Sequence, residues 1–504
     1  MERKTLKKIK RSHLLPALAI LAFYSLFMVV SACDSSTSPK TGTLTGRVEL
    51  VNDTGNPELD PADYSGVTIA LYELAKPDTI VTNAMAAFPS VGFPIDQNSE
   101  FDHRLNVRIA ETTSDASGAF VLSKVPYGTY NLVILKSGWG FRYKYSIIID
   151  GESSSVLIDD LILYPERVVS GYFQGTLVLD DWRHLLVPDD VLISPESSLS
   201  LGSNAVVRIN PGKKIDIMGR LNSFAGQGTM FRVTSNDDLF LNHKRVSQDI
   251  LPYHSMNLLE TSIVDGGLIS NGVFSFATIG LSTQLQHPLN LVNCSFLSHD
   301  YGVWASASSS AFTASSMFRS ISTTNNGISF YAGGGGEISR NLIIGAKTGI
   351  RCEANSNPLI TNNVIINSES GIELFDSSSE VRYNYIRNSS IGIRTAGSFA
   401  PIVSYNHVSA RRAVTIGYNG YFAQSRAVFN YNNLDAIEYY YYVIRSNSHD
   451  IDAKHNYHYT TSQSDIEAKT YHKPNYPESQ QNQVAYVIFS PFALQPINNA
   501  GVQP

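Results

Sequence analysis

The run Ser339-Arg340-Asn341-Leu342-Ile343-Ile344, leading to Gly349-Ile350-Arg351, is followed by Thr361-Asn362-Asn363-Val364-Ile365-Ile366, leading to Gly371-Ile372-Glu373. Two further copies come next: Arg382-Tyr383-Asn384-Tyr385-Ile386 with Gly392-Ile393-Arg394, and Ser404-Tyr405-Asn406-His407-Val408 with Ala413-Val414-Thr415. The shared Asn falls at 341, 363, 384 and 406, in steps of 22, 21 and 22. A period of about 20–25 residues made of short β runs and turns is the signature of a solenoid. Three short strands account for one coil, and each coil advances by about 4.8 Å, the spacing of neighbouring strands. The apolar residue beside each Gly position (Ile328, Ile350, Ile372, Ile393 and Val414) is expected to point inward and stack on its equivalents as the core. Asn is expected at the turns, where its amide can bond neighbouring backbone and a left-handed conformation is tolerated, so that an amide ladder runs between coils. Gly is expected where a turn re-enters a strand.

This part resembles the right-handed parallel β-helix repeat family shared by pectin lyases and copper-site periplasmic β-helix proteins. Leu186 to Ile193, Ala205 to Gly212 and Ile215 to Leu221, ending in Val233-Thr234-Ser235-Asn236, look like its opening coils. His455-Asn456-Tyr457-His458, Asp465 to Lys469 and Val484 to Phe492 resemble its closing segment, with His458 where the family usually has Trp-Gly after Asn-Tyr. The resemblance covers residues 175–495 and implies about 11–13 coils. Asp237 to His254 is expected to leave the coils as a loop.

Ahead of the coils, residues 43–165 carry short β runs at turn-separated intervals: Leu44 to Val51, Gly66 to Glu73, Ala119 to Leu122, Tyr130 to Lys136, Tyr145 to Ile149 and Val156 to Leu163. That spacing predicts a small antiparallel sandwich. Thr113-Ser114-Asp115-Ala116-Ser117-Gly118-Ala119-Phe120 and Val125-Pro126-Tyr127-Gly128-Thr129-Tyr130 close two hairpins. They resemble the carboxypeptidase regulatory-like family, a transthyretin-type sandwich. An insert between Lys76 and Arg108, containing Met85, Phe88 and Phe93, is expected to be a packed hairpin rather than an exposed binding loop. The fold expected is therefore all-β, a small antiparallel sandwich followed by a right-handed parallel β-helix.

The chain opens with the basic stretch MERKTLKKIKRSH and an apolar run from Leu14 to Val30, which read as a secretory signal over residues 1–32. Val30-Ser31-Ala32-Cys33 resembles the lipobox of bacterial lipoproteins, which implies acylation of Cys33 and cleavage before it. Residues 33–42 then form a lipidated, flexible tether. The resemblance implies a cell-envelope location, the outer membrane or cell surface rather than the inner membrane. Removing six basic and one acidic residue with the leader, from totals of 38 and 44, leaves 32 basic against 43 acidic, a net charge of −11. Nucleic acid is thereby a poor partner, and a monomer is expected. Cys294 and Cys352 are the only other cysteines, separated by more than two coils and so by about 12 Å of axial rise. A disulfide needs Cα atoms within about 7 Å, so two buried free thiols are expected.

Two places after each Gly position, strand parity turns the side chain outward. That gives Trp304, Ser329, Arg351, Glu373, Arg394, Thr415 and Glu438, and two residues further Ser306, Tyr331, Glu353, Phe375, Ala396, Gly417 and Tyr440. Aromatic rings cover the apolar faces of sugars, while Arg and carboxylates bind hydroxyls or uronates. Trp304, Tyr331, Arg351, Glu353, Glu373, Phe375, Asp376 and Arg394 are the candidate polymer-binding face. The plainer alternative is an inter-coil charge ladder that avoids like-charge stacking. His449, Asp450, Asp452, His455 and His458 have metal-ligating side chains but no metal spacing, and a solvated cap is expected there. No cofactor is implied, except that a lyase would need an Arg or Lys base and a carboxylate or Ca2+ clamp on a uronate. The function expected is binding of an extended carbohydrate or other surface polymer, with the sandwich as a spacer. A polysaccharide lyase or glycoside hydrolase, and a non-catalytic adhesin or envelope scaffold, stay open as alternatives.

Overall fold

Alternating aliphatic and polar residues in β1 (Thr41–Leu50) send Leu44, Val48 and Leu50 to one face, the pattern of a half-buried strand. The computed structural model describes residues 40–76, 78–93, 101–226, 228–237, 244–306, 311–314, 316–320, 325–418, 426–444 and 449–504. Cys33, the leader and nearly all of the tether lie outside them. After β1 come β2 (Thr68–Glu73), α1 (Thr79–Ala87), β3 (Arg108–Thr113), β4 (Ala119–Pro126), β5 (Gly128–Lys136), β6 (Gly140–Ile149) and β7 (Ser155–Leu163). Two sheets, ordered β4-β1-β7 and β3-β2-β5-β6, close over Leu44, Val48, Ile69, Leu71, Phe120, Leu132, Ile134 and Ile149. Asp115 fixes the turn before β4 by accepting from the amides of Ser117 and Ala119 at 2.8 and 3.0 Å.

From Arg167–Val168 onward the chain winds as a right-handed parallel β-helix of about 12 turns, so the expected all-β class is what the protein adopts. Three strands per coil build three faces. Inward residues stack as the sequence requires: Ile328, Ile350, Ile372 and Ile393 are fully buried in one continuous core that runs from Leu177 to Phe489. Two local expectations change. The ladder amides hold as drawn, with Asn341, Asn363, Asn384, Asn406, Asn432 and Asn456 linked Nδ2 to Oδ1 at 2.9–3.0 Å. The left-handed residue, however, is the one before each ladder position (Arg340, Asn362, Tyr383, Tyr405, Tyr431 and His455, φ 55–60°), because the corner precedes the amide. The recurring Gly lies within a strand rather than at its entry. A Cβ on Gly349 would come within 2.6 Å of the Gly371 carbonyl and 2.7 Å of Ile365, so the next coil and the core leave no room for one.

The insert after β2 is a helix, not a hairpin. Asp78 caps α1 by accepting from the Ile80 amide at 2.8 Å, and Val81, Ala84, Met85, Phe88, Val91 and Phe93 lie on the solenoid flank against Met317, Leu342, Ile344, Val364, Ile366 and Tyr385. Nor is the sandwich a spacer. The outer face of its β5–β6 sheet packs Val133, Leu135, Phe141 and Tyr143 onto Trp182 and Val206 of the first coils. Buried Arg208 pairs with Glu166, and His184 Nε2 donates to the Phe141 carbonyl at 2.7 Å. Arg104, near the end of the insert, bonds Ser235 and Asp237 carbonyls at 2.8 and 3.0 Å and Asp102 at 2.7 Å.

These contacts seal one face of the β-helix along its length. Its outward row reads His184, Val206, Arg232, Val273, Ser295, Met317, Leu342, Val364, Tyr385, His407, Asn433. The sandwich covers its start and α1 its middle. The C-terminal tail turns back along the corner beside the rest: Ile497 and Asn433 exchange bonds of 2.8 and 3.0 Å, Gly501 donates to Tyr405, and Gln503 donates to Asn362 at 2.8 Å. Ser90, just after α1, reaches the Gln503 carbonyl at 3.4 Å, so arm and tail meet.

Candidate functional site

Among the described residues the second face carries no such cover from the sandwich or its arm. Register pairs place on its outward side one row running through the whole solenoid: Tyr172, Leu192, Asp216, Asn257, Ser282, Trp304, Ser329, Arg351, Glu373, Arg394, Thr415, Tyr442, Tyr471. Parity is as expected for Ile350, Ile372 and Ile393 inside and Arg351, Glu373 and Arg394 outside. Glu438 and Tyr440 do not belong to the row. The pairing of Asn433–Val443 with His407–Ile416 shifts between Ala410 and Arg412, and Tyr442 stands opposite Thr415. Glu438 instead pairs with Arg411 and Arg412, while Tyr440 is buried with its hydroxyl donating to the His458 carbonyl.

Trp304 stacks with Tyr301 at 5.4 Å, and Tyr331 on the next coil is exposed. Glu373, expected in solvent, is enclosed: its side chain is 4% exposed, Arg351 donates to Oε2 at 3.1 Å and Arg394 to Oε1 at 2.8 Å. Arg351 also pairs with Glu353. Phe375 is buried too, because the Arg351 guanidinium lies over its ring at 4.8 Å and Tyr418 meets it edge-on at 5.4 Å. Arg394 lies 5.5 Å from the Tyr418 ring. Asp376 is a turn residue whose Oδ1 accepts from the Ser398 amide at 3.1 Å. Six of the eight candidates thus gather around Glu373 and its neighbouring coils, while Trp304 and Tyr331 lie toward the N-terminal coils. Sequence reasoning missed Tyr301, Arg412, Tyr418, Tyr439, Tyr442, Tyr471 and Tyr476. The run Tyr439-Tyr440-Tyr441-Tyr442 was the visible signal for three of the seven groups, counting its partner Tyr471.

The histidine-rich cap does not converge. His455 stacks on Tyr431 at 5.2 Å, Asp450 accepts from the Tyr486 amide at 3.1 Å, and His458 is fully buried beneath Tyr440, Tyr441 and Phe489. His458 is therefore a core residue rather than part of a solvated cap. Among the described residues no three His, Cys, Asp or Glu side chains are placed to hold a metal ion. Cys294 and Cys352 are buried and free, and burial pushes the Cys294 thiol up to about 12. Cys294 occupies a ladder position beside Ser316, not the column of Cys352. Among the described residues no helix is long and apolar enough to cross a membrane.

Residues 318–458 match the family model described as "Right handed beta helix region". A solved structure of the Yersinia enterocolitica Family 28 exopolygalacturonase is similar at 10% identity, over 77% of this chain and 92% of that one, with a TM-score of 0.23. At that distance the likeness carries no functional weight. No curated protein matches the chain.

Proposed function

We propose that the protein is a lipid-anchored component of the bacterial cell envelope that holds an extended carbohydrate or similar surface polymer along the second face of its β-helix. One observation carries this reading: the outward row sets partly exposed rings (Tyr301 with Trp304 at one end, Tyr442 with Tyr471 at the other) on either side of a fixed charge cluster. Rings of this kind cover the apolar faces of sugars, and held guanidiniums offer paired donors to hydroxyls or anionic groups. The carboxylates a hydrolase would employ are already engaged, Glu353 and Glu373 by arginines and Asp376 by a backbone amide, which favours binding over cleavage.

Incubating the 41–504 fragment with a polysaccharide panel, read for retention and for new reducing or unsaturated ends, tests this. Retention without new ends is expected, weakened by Trp304→Ala. New ends would move the protein to the lyase or hydrolase alternative, and absence of retention would leave the scaffold. The anchor rests on Cys33: Cys33→Ala should abolish labelling by a fatty-acid analogue, and a mutant that still labels would remove the anchor from the reading.

A further inference from the structure

The row of the second face continues two coils past Arg394 into a cluster of tyrosines. Arg412 lies with its guanidinium 4.2 Å from the ring centre of Tyr442 and 5.9 Å from that of Tyr439. Tyr442 stacks on Tyr471 at 5.1 Å, and Tyr471 leans on Tyr476 at 5.0 Å. All four rings are partly exposed, so the cluster lies at the surface rather than in the core. Among the described residues, Tyr476 donates its hydroxyl to the Val443 carbonyl at 2.7 Å.

The charges of this cluster do not balance. Arg411 and Arg412 share the single carboxylate of Glu438, which meets Arg411 directly and lies 3.5 Å from Arg412 Nε. That Nε is buried with no aligned acceptor. Among the described residues joined by these ion pairs, two cations face one anion, a local positive surplus on a chain whose net charge past the leader is −11. The central cluster differs, since Arg351 and Arg394 face Glu353 and Glu373 one for one.

We infer that the tyrosine cluster around Arg412 seats an acidic sugar residue, a pyranose bearing a carboxylate or sulfate, and thereby sets the class of polymer the second face accepts. The rings take the apolar side of the pyranose, and the planar guanidinium offers parallel N–H donors to an anionic group. Contact with the Tyr442 ring holds the guanidinium without consuming its donors. A generally acidic surface repels polyanions elsewhere, so the anion is admitted where the surplus lies. This inference rests on the polymer-binding reading above.

The test uses the full chain in detergent and matched supports that differ only in charge: cellulose against carboxymethylcellulose, and dextran against carboxymethyl-dextran and dextran sulfate. Retention on at least one acidic form should exceed that on its neutral parent by about tenfold or more at low salt and decline as salt rises. Arg412→Gln should bring retention on the acidic form down to that on its neutral parent, Arg412→Lys should restore part of the difference, and Tyr442→Ala should weaken retention on both forms. Equal retention on neutral and acidic forms, or an acidic preference that survives Arg412→Gln, would overturn the inference while a loss with Trp304→Ala upheld the polymer reading. No retention on any support, or retention indifferent to Trp304→Ala, would overturn the polymer reading and this inference with it. The melting temperature of each variant, within a few degrees of the parent, guards against reading misfolding as lost binding.

Discussion

At the scale of single residues, Glu373 shows how an outward position can still be interior. Strand parity turns it away from the core, yet Arg351 and Arg394 on the neighbouring coils close over it and leave its side chain 4% exposed. Removing it would leave two guanidiniums facing each other across two strand spacings, with no carboxylate between them. Glu373→Ala is therefore expected to cost about 2–3 kcal/mol, against less than about 1 kcal/mol for the partly exposed Glu353→Ala and about 2–5 kcal/mol for Ile372→Ala. Hydrogen exchange across residues 348–396 measures all three locally, which suits a solenoid that need not unfold as one unit. A Glu373→Ala protein as stable as Glu353→Ala would show that the arginines stand without it. His458 gives a pH signature of the same origin. Burial depresses its pKa to about 4, with Nε2 near the Tyr441 hydroxyl at 2.9 Å and Nδ1 buried without a partner. The unfolded chain takes up the proton first, so the stability this neutral histidine supports is intact above about 6.5 and declines as pH falls toward 4. Between pH 7 and 5 the cap should lose roughly 2 kcal/mol through this residue. His184, whose pKa burial also lowers, contributes in the same direction elsewhere, so the wild-type profile minus that of His458→Gln isolates the cap. Superimposable profiles would exclude His458 as the source.

At the scale of elements, the coil repeat was legible because its inward residues obey one period and the amide ladder recurs at one place. The cover of the first face was not, although its signal was present. Leu342-Ile343-Ile344 and Val364-Ile365-Ile366 are apolar on both parities, and a strand with one wet face would alternate. Ile343 and Ile365 enter the core, whereas Leu342, Ile344, Val364 and Ile366 need something outside. That partner is α1, which lies far earlier in the chain, and no local pattern connects the two. The insert around α1 read as a hairpin because its apolar residues are few and its neighbours are strands. The tyrosine cluster was displaced for a different reason: the irregular pairing before Arg412 moves the row four residues, from Glu438 to Tyr442. The arm supplies a prediction at this scale. Val81 is 1% exposed, and Val81→Asp would bury a carboxylate against Leu342 and Val364. The expected result is release of the arm at a cost of about 2–4 kcal/mol, seen as rapid proteolysis between residues 76 and 93 while the coils keep their amide protection. Unchanged resistance in that segment would mean that the arm holds by its ends alone.

At the scale of the whole molecule, the sandwich and its arm pack along one face of the solenoid rather than standing off as a neighbouring bead. It covers His184, Val206 and Arg208, sends Arg104 to the Ser235 carbonyl, and reaches through α1 to Tyr385, where Phe88 and Tyr385 rings meet at 4.7 Å. Separating the two parts would expose Arg208 without Glu166 and an apolar strip from Met317 to Tyr385, a surface that isolated soluble chains seldom present. The solenoid alone, residues 167–504, is thus expected to self-associate or aggregate even though its own core from Leu177 to Phe489 is complete. Supplying residues 41–166 in trans should return it to solution as a one-to-one complex, because the lost partner is a surface and not a folding signal. Light scattering after size exclusion reads the outcome directly. A soluble, monomeric 167–504 fragment with the parent's thermal midpoint would show that the first face tolerates water and that the arm is an ornament of the sandwich. Aggregation rescued by the separate sandwich would instead show that the first face is spent on holding the two domains as one body, which leaves it closed to the polymer proposed for the second.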